Sequence, residues 1–175
     1  MVPGSPIIQR AKTDVVFELD MVRVDMAEMK VETKPVELVS CVGSCVAVCL
    51  FDSSSKCGGM AHVMLPQKDI SPKENLPAKF ADSAVPALIS AMKRKCTGSV
   101  FSAKIAGGAN MFPNIKNHSL AIGARNAEAV KAALAENKIP LRGEDIGGTH
   151  GRKVTFNTLT GIVNVRVLNG EVKKL

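Results

Sequence analysis

The segment "VELVSCVGSCVAVCLF", Val36 to Phe51, limits the fold more than any other part of the chain. Its residues are mostly β-branched or small. As a strand it would turn Val46, Val48 and Leu50 to one side and Cys45, Ala47, Cys49 and Phe51 to the other. Both faces are then apolar, which marks a strand buried on both sides. The following "DSSSK" is a turn, rich in side chains that bond nearby backbone. "CGGMAHVML", Cys57 to Leu65, is the return strand and ends at Pro66. With the turn centred on Ser53 and Ser54, Cys45 falls directly opposite His62, at a Cβ separation of about 4.5–5.5 Å. A slip of one residue would send the two side chains to opposite faces.

Around this hairpin the order is β-rich, helix, strand, helix, β-rich. "VVFELDMVRVDM" alternates as a first strand, and "AEMKVETKP" is polar enough for a loop or a sheet edge. "QKDISPKENLPAKF" holds two prolines and is an exposed loop. Ala81, Val85, Leu88, Ile89 and Met92 recur at helical spacing. Pro86 falls among them, so this helix is expected to kink there or to begin near Val85. "SVFSAKIAGGANMF" is a strand ending in a Gly-Gly loop. "RNAEAVKAALAENKIP" is an amphipathic helix with Ala127, Val130, Ala133 and Leu134 inward and Pro140 at its end. "GRKVTFNTLTGIVNVRVLNGEVKK" gives two alternating strands around "TLTG" and a terminal "NG" turn. This is not the regular alternation of a doubly wound sheet. The fold class is α+β, with two main helices on one face of a mostly antiparallel sheet system.

With 175 residues, 46% of them apolar and 22% charged, the chain has the material for one full hydrophobic core. Residues 1–14 are assigned to a disordered arm or an expression scar, and 15–175 to a single domain. The longest near-apolar run is too short to span a bilayer and no signal peptide is evident, so no membrane insertion and a cytoplasmic location are expected. The five cysteines are odd in number and irregularly spaced. They form a poor disulfide framework and are expected as free thiols. A net charge of +7 suggests an acidic partner. Nucleic acid is not favoured, because the 23 Lys and Arg residues are scattered and aromatic residues total 3%.

A thiol facing an imidazole allows nucleophilic catalysis. The thiolate is the nucleophile, a histidine can draw off its proton, and the same ring can return a proton to a leaving group. Gly43 and Ser44 let the backbone turn closely and could aim amide N–H groups at a developing oxyanion. Against this, a cysteine in a buried strand is more often a small hydrophobe, the reading given to Cys41, Cys49, Cys57 and Cys96. Residues four apart on a strand are about 13 Å apart, so Cys41, Cys45 and Cys49 cannot share a metal ion. His118 and His150 lie in loops, and His150 is a fallback general base.

The blocks "GSCVAV", "GGMAHVMLP", "KFADSAVPAL", "AKIAGGANMF", "IGARNAEAVKAAL", "EDIGGTHGRKVTFN" and "TGIVNVR" resemble, in this order and spacing, the CheD proteins of bacterial and archaeal chemotaxis, which are chemoreceptor glutamine deamidases. The resemblance implies a layered α+β sandwich, similar to deamidating toxins and distantly to papain-like enzymes. It implies Cys45 as nucleophile and His62 as its partner, with no cofactor and no metal. The implied reaction converts receptor glutamine to glutamate through a thioester, with glutamyl methyl esters as a second substrate class. The implied partners are methyl-accepting chemotaxis receptors, through their cytoplasmic helical region, and a CheC-type phosphatase. The family typically places a threonine six positions before the cysteine, and here that position is Val39. Ser40 is the candidate third residue, but in a regular strand it would face the other way and would need a bulge to re-aim it. That departure leaves a second expectation, a binding regulator of the phosphatase with weakened chemistry.

Overall fold

The computed structural model describes residues 19–67, 76–111, 121–167 and 170–175. The arm assigned to residues 1–14, the start of the first strand and His118 lie outside these. Among the described residues, ten strands form two five-stranded sheets. In the first sheet the order is β1 (Met21–Arg23), β3 (Glu37–Val42), β8 (Arg152–Asn157), β9 (Val163–Val167) and β10 (Val172–Lys174). In the second it is β2 (Met29–Glu32), β5 (Cys57–Val63), β4 (Val46–Asp52), β6 (Ser102–Gly107) and β7 (Leu141–Ile146). Pairing is antiparallel except for β1 with β3 and β6 with β7.

The molecule has three layers. Leu38, Val42, Val154, Phe156, Val163 and Val165 of the first sheet meet Ala47, Cys49, Met60 and Ala106 of the second. On the far side of the second sheet, Val46, Val48, Leu50, Ala61 and Val63 pack against α1 (Ala81–Lys95) and α2 (Ile122–Glu136). β4 therefore lies between two cores, and its alternation of Val46/Val48/Leu50 with Ala47/Cys49 sorts as the sequence predicts. Burying each larger aliphatic side chain contributes about 1.5–3 kcal/mol, so the central hairpin anchors both cores. Both helices lie on one face of a mostly antiparallel system, as expected. On α2 the inward residues are Ala127, Val130, Ala133 and Leu134, again as predicted.

Three expectations need correction, and one strand had not been anticipated. Val36 to Phe51 is not one strand: the chain bends at Gly43, Ser44 and Cys45 and passes from one sheet to the other. The first helix begins at Ala81, ahead of Pro86. Pro86 stands so near the N-terminus that its missing N–H forfeits little more than one bond, since the first four amides of any helix lack intrahelical acceptors. "LRGEDI" is β7, a strand that its charge concealed. Finally, Cys57 and Cys96 form a disulfide that ties the start of β5 to the end of α1, with Cα atoms 5.7 Å apart. Cys41, Cys45 and Cys49 are free.

The hairpin register also differs from the expected one. Asp52 pairs with Cys57, so the loop comprises Ser53, Ser54, Ser55 and Lys56, and Lys56 takes a left-handed conformation at φ 51°. Asp52 organises it: Oδ1 accepts from the Ser54 amide at 3.0 Å and the Ser54 hydroxyl at 2.6 Å, and Oδ2 from the Ser55 hydroxyl at 2.6 Å. Burial pushes the Asp52 carboxyl up, but these bonds outweigh it and hold the group below its ordinary value. The turn centre thus lies one residue later than Ser53-Ser54, and every cross-strand partner shifts by two.

Candidate active site

In the shifted register His62 stands opposite Ala47, not opposite Cys45. A shift of two preserves the face. Cys45 itself lies in the bend just before β4, outside the paired residues, and it packs against the inter-sheet core that Ala47 and His62 face. Cys45 packs at the margin of the inter-sheet core and is half-buried, while His62 is 3% exposed. His62 is clamped through its backbone: its amide donates to the Glu28 carbonyl at 2.9 Å and its carbonyl accepts from the Ala27 amide at 3.2 Å.

Ser40 completes the group from the opposite sheet. β3 pairs with β8 without a break in register from Glu37 to Val42, and Ser40 points inward with Leu38 and Val42. Its Oγ lies 2.8 Å from His62 Nδ1 and donates to the Val24 carbonyl at 2.8 Å. A hydroxyl has one hydrogen. With that hydrogen on Val24, Ser40 accepts from His62, so Nδ1 carries the proton and Nε2 holds the lone pair. Nε2 is buried and has no hydrogen-bond partner among the described residues. The tautomer is therefore the one a general base requires. No bulge is needed, because the strand parity that set Ser40 apart from Cys45 does not carry through the bend at residues 43–45.

Two further groups hold the bend. The Cys45 carbonyl accepts from the Gly108 amide at 2.8 Å and the Gly43 carbonyl from the Ala109 amide at 2.8 Å. Gly107 has φ 127°, and a Cβ there would lie 2.1 Å from the Cys45 carbonyl oxygen, so the Gly-Gly loop is required for this close approach. Asn126 is fully buried on α2, and its Nδ2 donates to the Ser44 carbonyl at 2.9 Å and the Met64 carbonyl at 2.8 Å. It ties the bend before Cys45 to the chain just past His62. Sequence reasoning missed this role. The available signal was an asparagine on the apolar side of a helix, beside Ala127 and Val130.

The electrostatics favour a neutral resting pair. Burial pushes the Cys45 thiol above its ordinary value, and its own backbone N–H offsets only part of this. Burial pushes the His62 imidazole below its ordinary value against the opposing effects of the Val24 carbonyl and the Asp25 charge. A preformed thiolate–imidazolium pair is therefore not favoured. Cys49 sits in the core with its thiol pushed far up by burial, which suits packing. His150 is exposed, with the Thr149 hydroxyl 3.1 Å from its Nδ1.

A cavity of about 670 Å³ reaches His62 and Ser40, with Arg23, Asp25, Val39 and Cys41 among its walls. A second, of about 760 Å³, reaches the bend at Gly43, with Met111 leaning over that glycine. The amides of Gly43 and Ser44 donate to no acceptor among the described residues. Among the described residues no helix is long and apolar enough to cross a membrane.

Residues 64–167 match the family model described as CheD chemotactic sensory transduction. The chain is 40% identical over 157 residues to a probable chemoreceptor glutamine deamidase CheD of Clostridium acetobutylicum, an overlap of 88% of this chain and 95% of that protein. It is 39% identical over 162 residues to a protein of the same description from Clostridium novyi, covering 89% and 98%. A chemoreceptor glutamine deamidase CheD of Halalkalibacterium halodurans is 40% identical over 162 residues, covering 89% and 99%. Overlaps of that length necessarily take in positions 40, 45 and 62.

Proposed function

The chain belongs to the CheD family, and from that premise we propose that it deamidates glutamine side chains of methyl-accepting chemoreceptors through a Cys45 thioester. The observation that carries this is the Ser40–His62 contact, which leaves Nε2 unpartnered among the described residues, in the same inter-sheet core where the half-buried Cys45 thiol packs. As the Cys45 sulfur bonds to the carboxamide carbon, His62 Nε2 takes the thiol proton. The imidazolium is held by Ser40 at Nδ1. It gives the proton to the nitrogen, and the C–N bond breaks to release ammonia. Water, deprotonated by the same ring, then attacks the thioester to give glutamate and the free thiol. The unengaged Gly43 and Ser44 amides are the candidate donors to the oxyanion. Glutamyl methyl esters follow the same route with methanol as leaving group. Because the resting pair is neutral, proton transfer accompanies attack.

A CheC-type phosphatase is the proposed regulatory partner, and a cytoplasmic location follows from substrate and partner alike. The regulator reading is weakened, because the hydroxyl thought to be missing is supplied by Ser40. The test is incubation with a glutamine-bearing receptor fragment, with ammonia release and the glutamine-to-glutamate mass change as readouts. Wild type is expected to turn over, and Cys45→Ala and His62→Ala to lose turnover. Full activity in either variant would refute the assignment. A wild type that binds the phosphatase but leaves the fragment unchanged would favour the regulator.

A further inference from the structure

The outward face of the first sheet carries a pair of cations that the fold itself does not explain. Lys153 on β8 and Arg166 on β9 stand directly opposite each other, and both are exposed. Like charges in that relation destabilise a sheet. Neither is in an ion pair among the described residues, and the acidic side chain that shares a cavity with them is Glu37, on the same outward face of β3. Cys41 on β3 is opposite Lys153, so Cys41, Lys153 and Arg166 form one transverse row. The pair lines two cavities at once: the one of about 760 Å³ that reaches Gly43, and another of about 260 Å³ farther along the face. The larger adds the apolar surfaces of Met111 and Val167. Cys41 in turn belongs to the cavity that ends at His62. A track with a cationic rim and apolar patches thus leads across the open sheet to both ends of the candidate site.

We propose that Lys153 and Arg166 dock the substrate segment, an amphipathic receptor helix that carries carboxylates near the target glutamine. This rests on the deamidase reading above. Adjacent strands are about 4.8 Å apart, so the two cations lie about 5 and 10 Å from Cys41, a step close to one and two turns of an α-helix. A helix laid across the strands can set acidic side chains at successive turns on Arg166 and Lys153 while its apolar side meets Met111 and Val167. The repulsion between the two cations, which no ion pair among the described residues relieves, falls when those carboxylates arrive. The net charge of +7 adds long-range attraction.

The test measures binding apart from turnover. A fluorescent receptor fragment is titrated with full-length protein by anisotropy, and its deamidation is followed in parallel. Lys153→Glu sets a carboxylate opposite Arg166, so melting should hold or rise, whereas affinity for the fragment should fall about tenfold at low salt and converge with wild type at high salt. KM should rise by a similar factor with kcat little changed. Lys153→Ala combined with Arg166→Ala should weaken binding in the same direction. Unchanged affinity in both variants overturns the docking surface, whatever the turnover. Loss of affinity with no deamidation by wild type keeps the docking surface and removes the deamidase reading. Equally tight binding of a structured RNA at physiological salt would assign the pair to nucleic acid and overturn the proposal.

Discussion

Replacing Ser40 by alanine tests the geometry on which the proposed chemistry turns. The hydroxyl bridges His62 Nδ1 and the Val24 carbonyl at 2.8 Å on each side, in a residue only 2% exposed. Its removal strands buried polar groups, each costing about 1–3 kcal/mol, and melting should fall by several degrees for a chain of this size. Only the difference between neutral and protonated imidazole enters the barrier. A hydrogen bond contributes about 0.5–1.5 kcal/mol to a neutral group and about 1.5–3 kcal/mol to a charged one. The difference, about 1–1.5 kcal/mol, corresponds to a kcat about five- to fifteenfold lower. Loss of the acceptor at Nδ1 also makes the imidazole a weaker base, so the acid limb of the pH–rate profile should move to lower pH. Ser40→Thr, which keeps the hydroxyl, should recover most of kcat even if the added methyl lowers stability. The assay is steady-state ammonia release across pH on a receptor fragment, with melting followed in parallel. A folded Ser40→Ala enzyme with wild-type kcat and an unmoved acid limb would show that the hydroxyl orients nothing.

Three other outcomes follow from the same structure. Gly107→Ala would drive a Cβ into the Cys45 carbonyl and force φ 127° on an L-residue, so a loss of about 3 kcal/mol is expected together with slower alkylation of Cys45; an unchanged urea midpoint would contradict it. His62 is held below its ordinary 6.5, so between the lowered value and 6.5 the unfolded chain binds a proton that the folded chain does not, and stability should fall as pH drops through 6.5. His62→Gln should flatten that slope in urea titrations at about pH 7 and about pH 5. The Cys57–Cys96 disulfide closes a loop of sequence separation 39, for which chain entropy alone gives up to about 4 kcal/mol, so reduction should lower the denaturant midpoint. Identical midpoints with and without reductant would show that the bridge adds nothing to stability.

Most of the fold was legible because periodicity records burial directly. β4 shows it best, with Val46, Val48 and Leu50 on one core and Ala47 and Cys49 on the other. Hidden features were those set by contacts distant in sequence. "LRGEDI" becomes a strand by pairing with β6 at the sheet edge, where charge is tolerated and hydrophobic pattern is weak. Asn126 looks like a flaw on an apolar helix face until the carbonyls of Ser44 and Met64 appear beside it. The Cys57–Cys96 bridge joins residues that an odd cysteine count gave no reason to pair.

The candidate third residue shows most clearly why spacing alone misleads. Counting back from Cys45 along an unbroken strand selects Val39 and turns Ser40 to the wrong face. That count presumes a single β-period from residue 39 to residue 45, and Gly43 and Ser44 interrupt it where the chain crosses between sheets. Position relative to the cysteine then carries no information about facing. What matters is the parity of β3 itself, where Leu38, Ser40 and Val42 point inward and Val39 points outward. Shortening or lengthening the bend by one residue would leave that parity intact, so the hydroxyl that meets an imidazole across a sandwich is fixed by its own strand. The thiol is placed separately, by the Gly-Gly loop that receives its carbonyl and by the asparagine that holds Ser44.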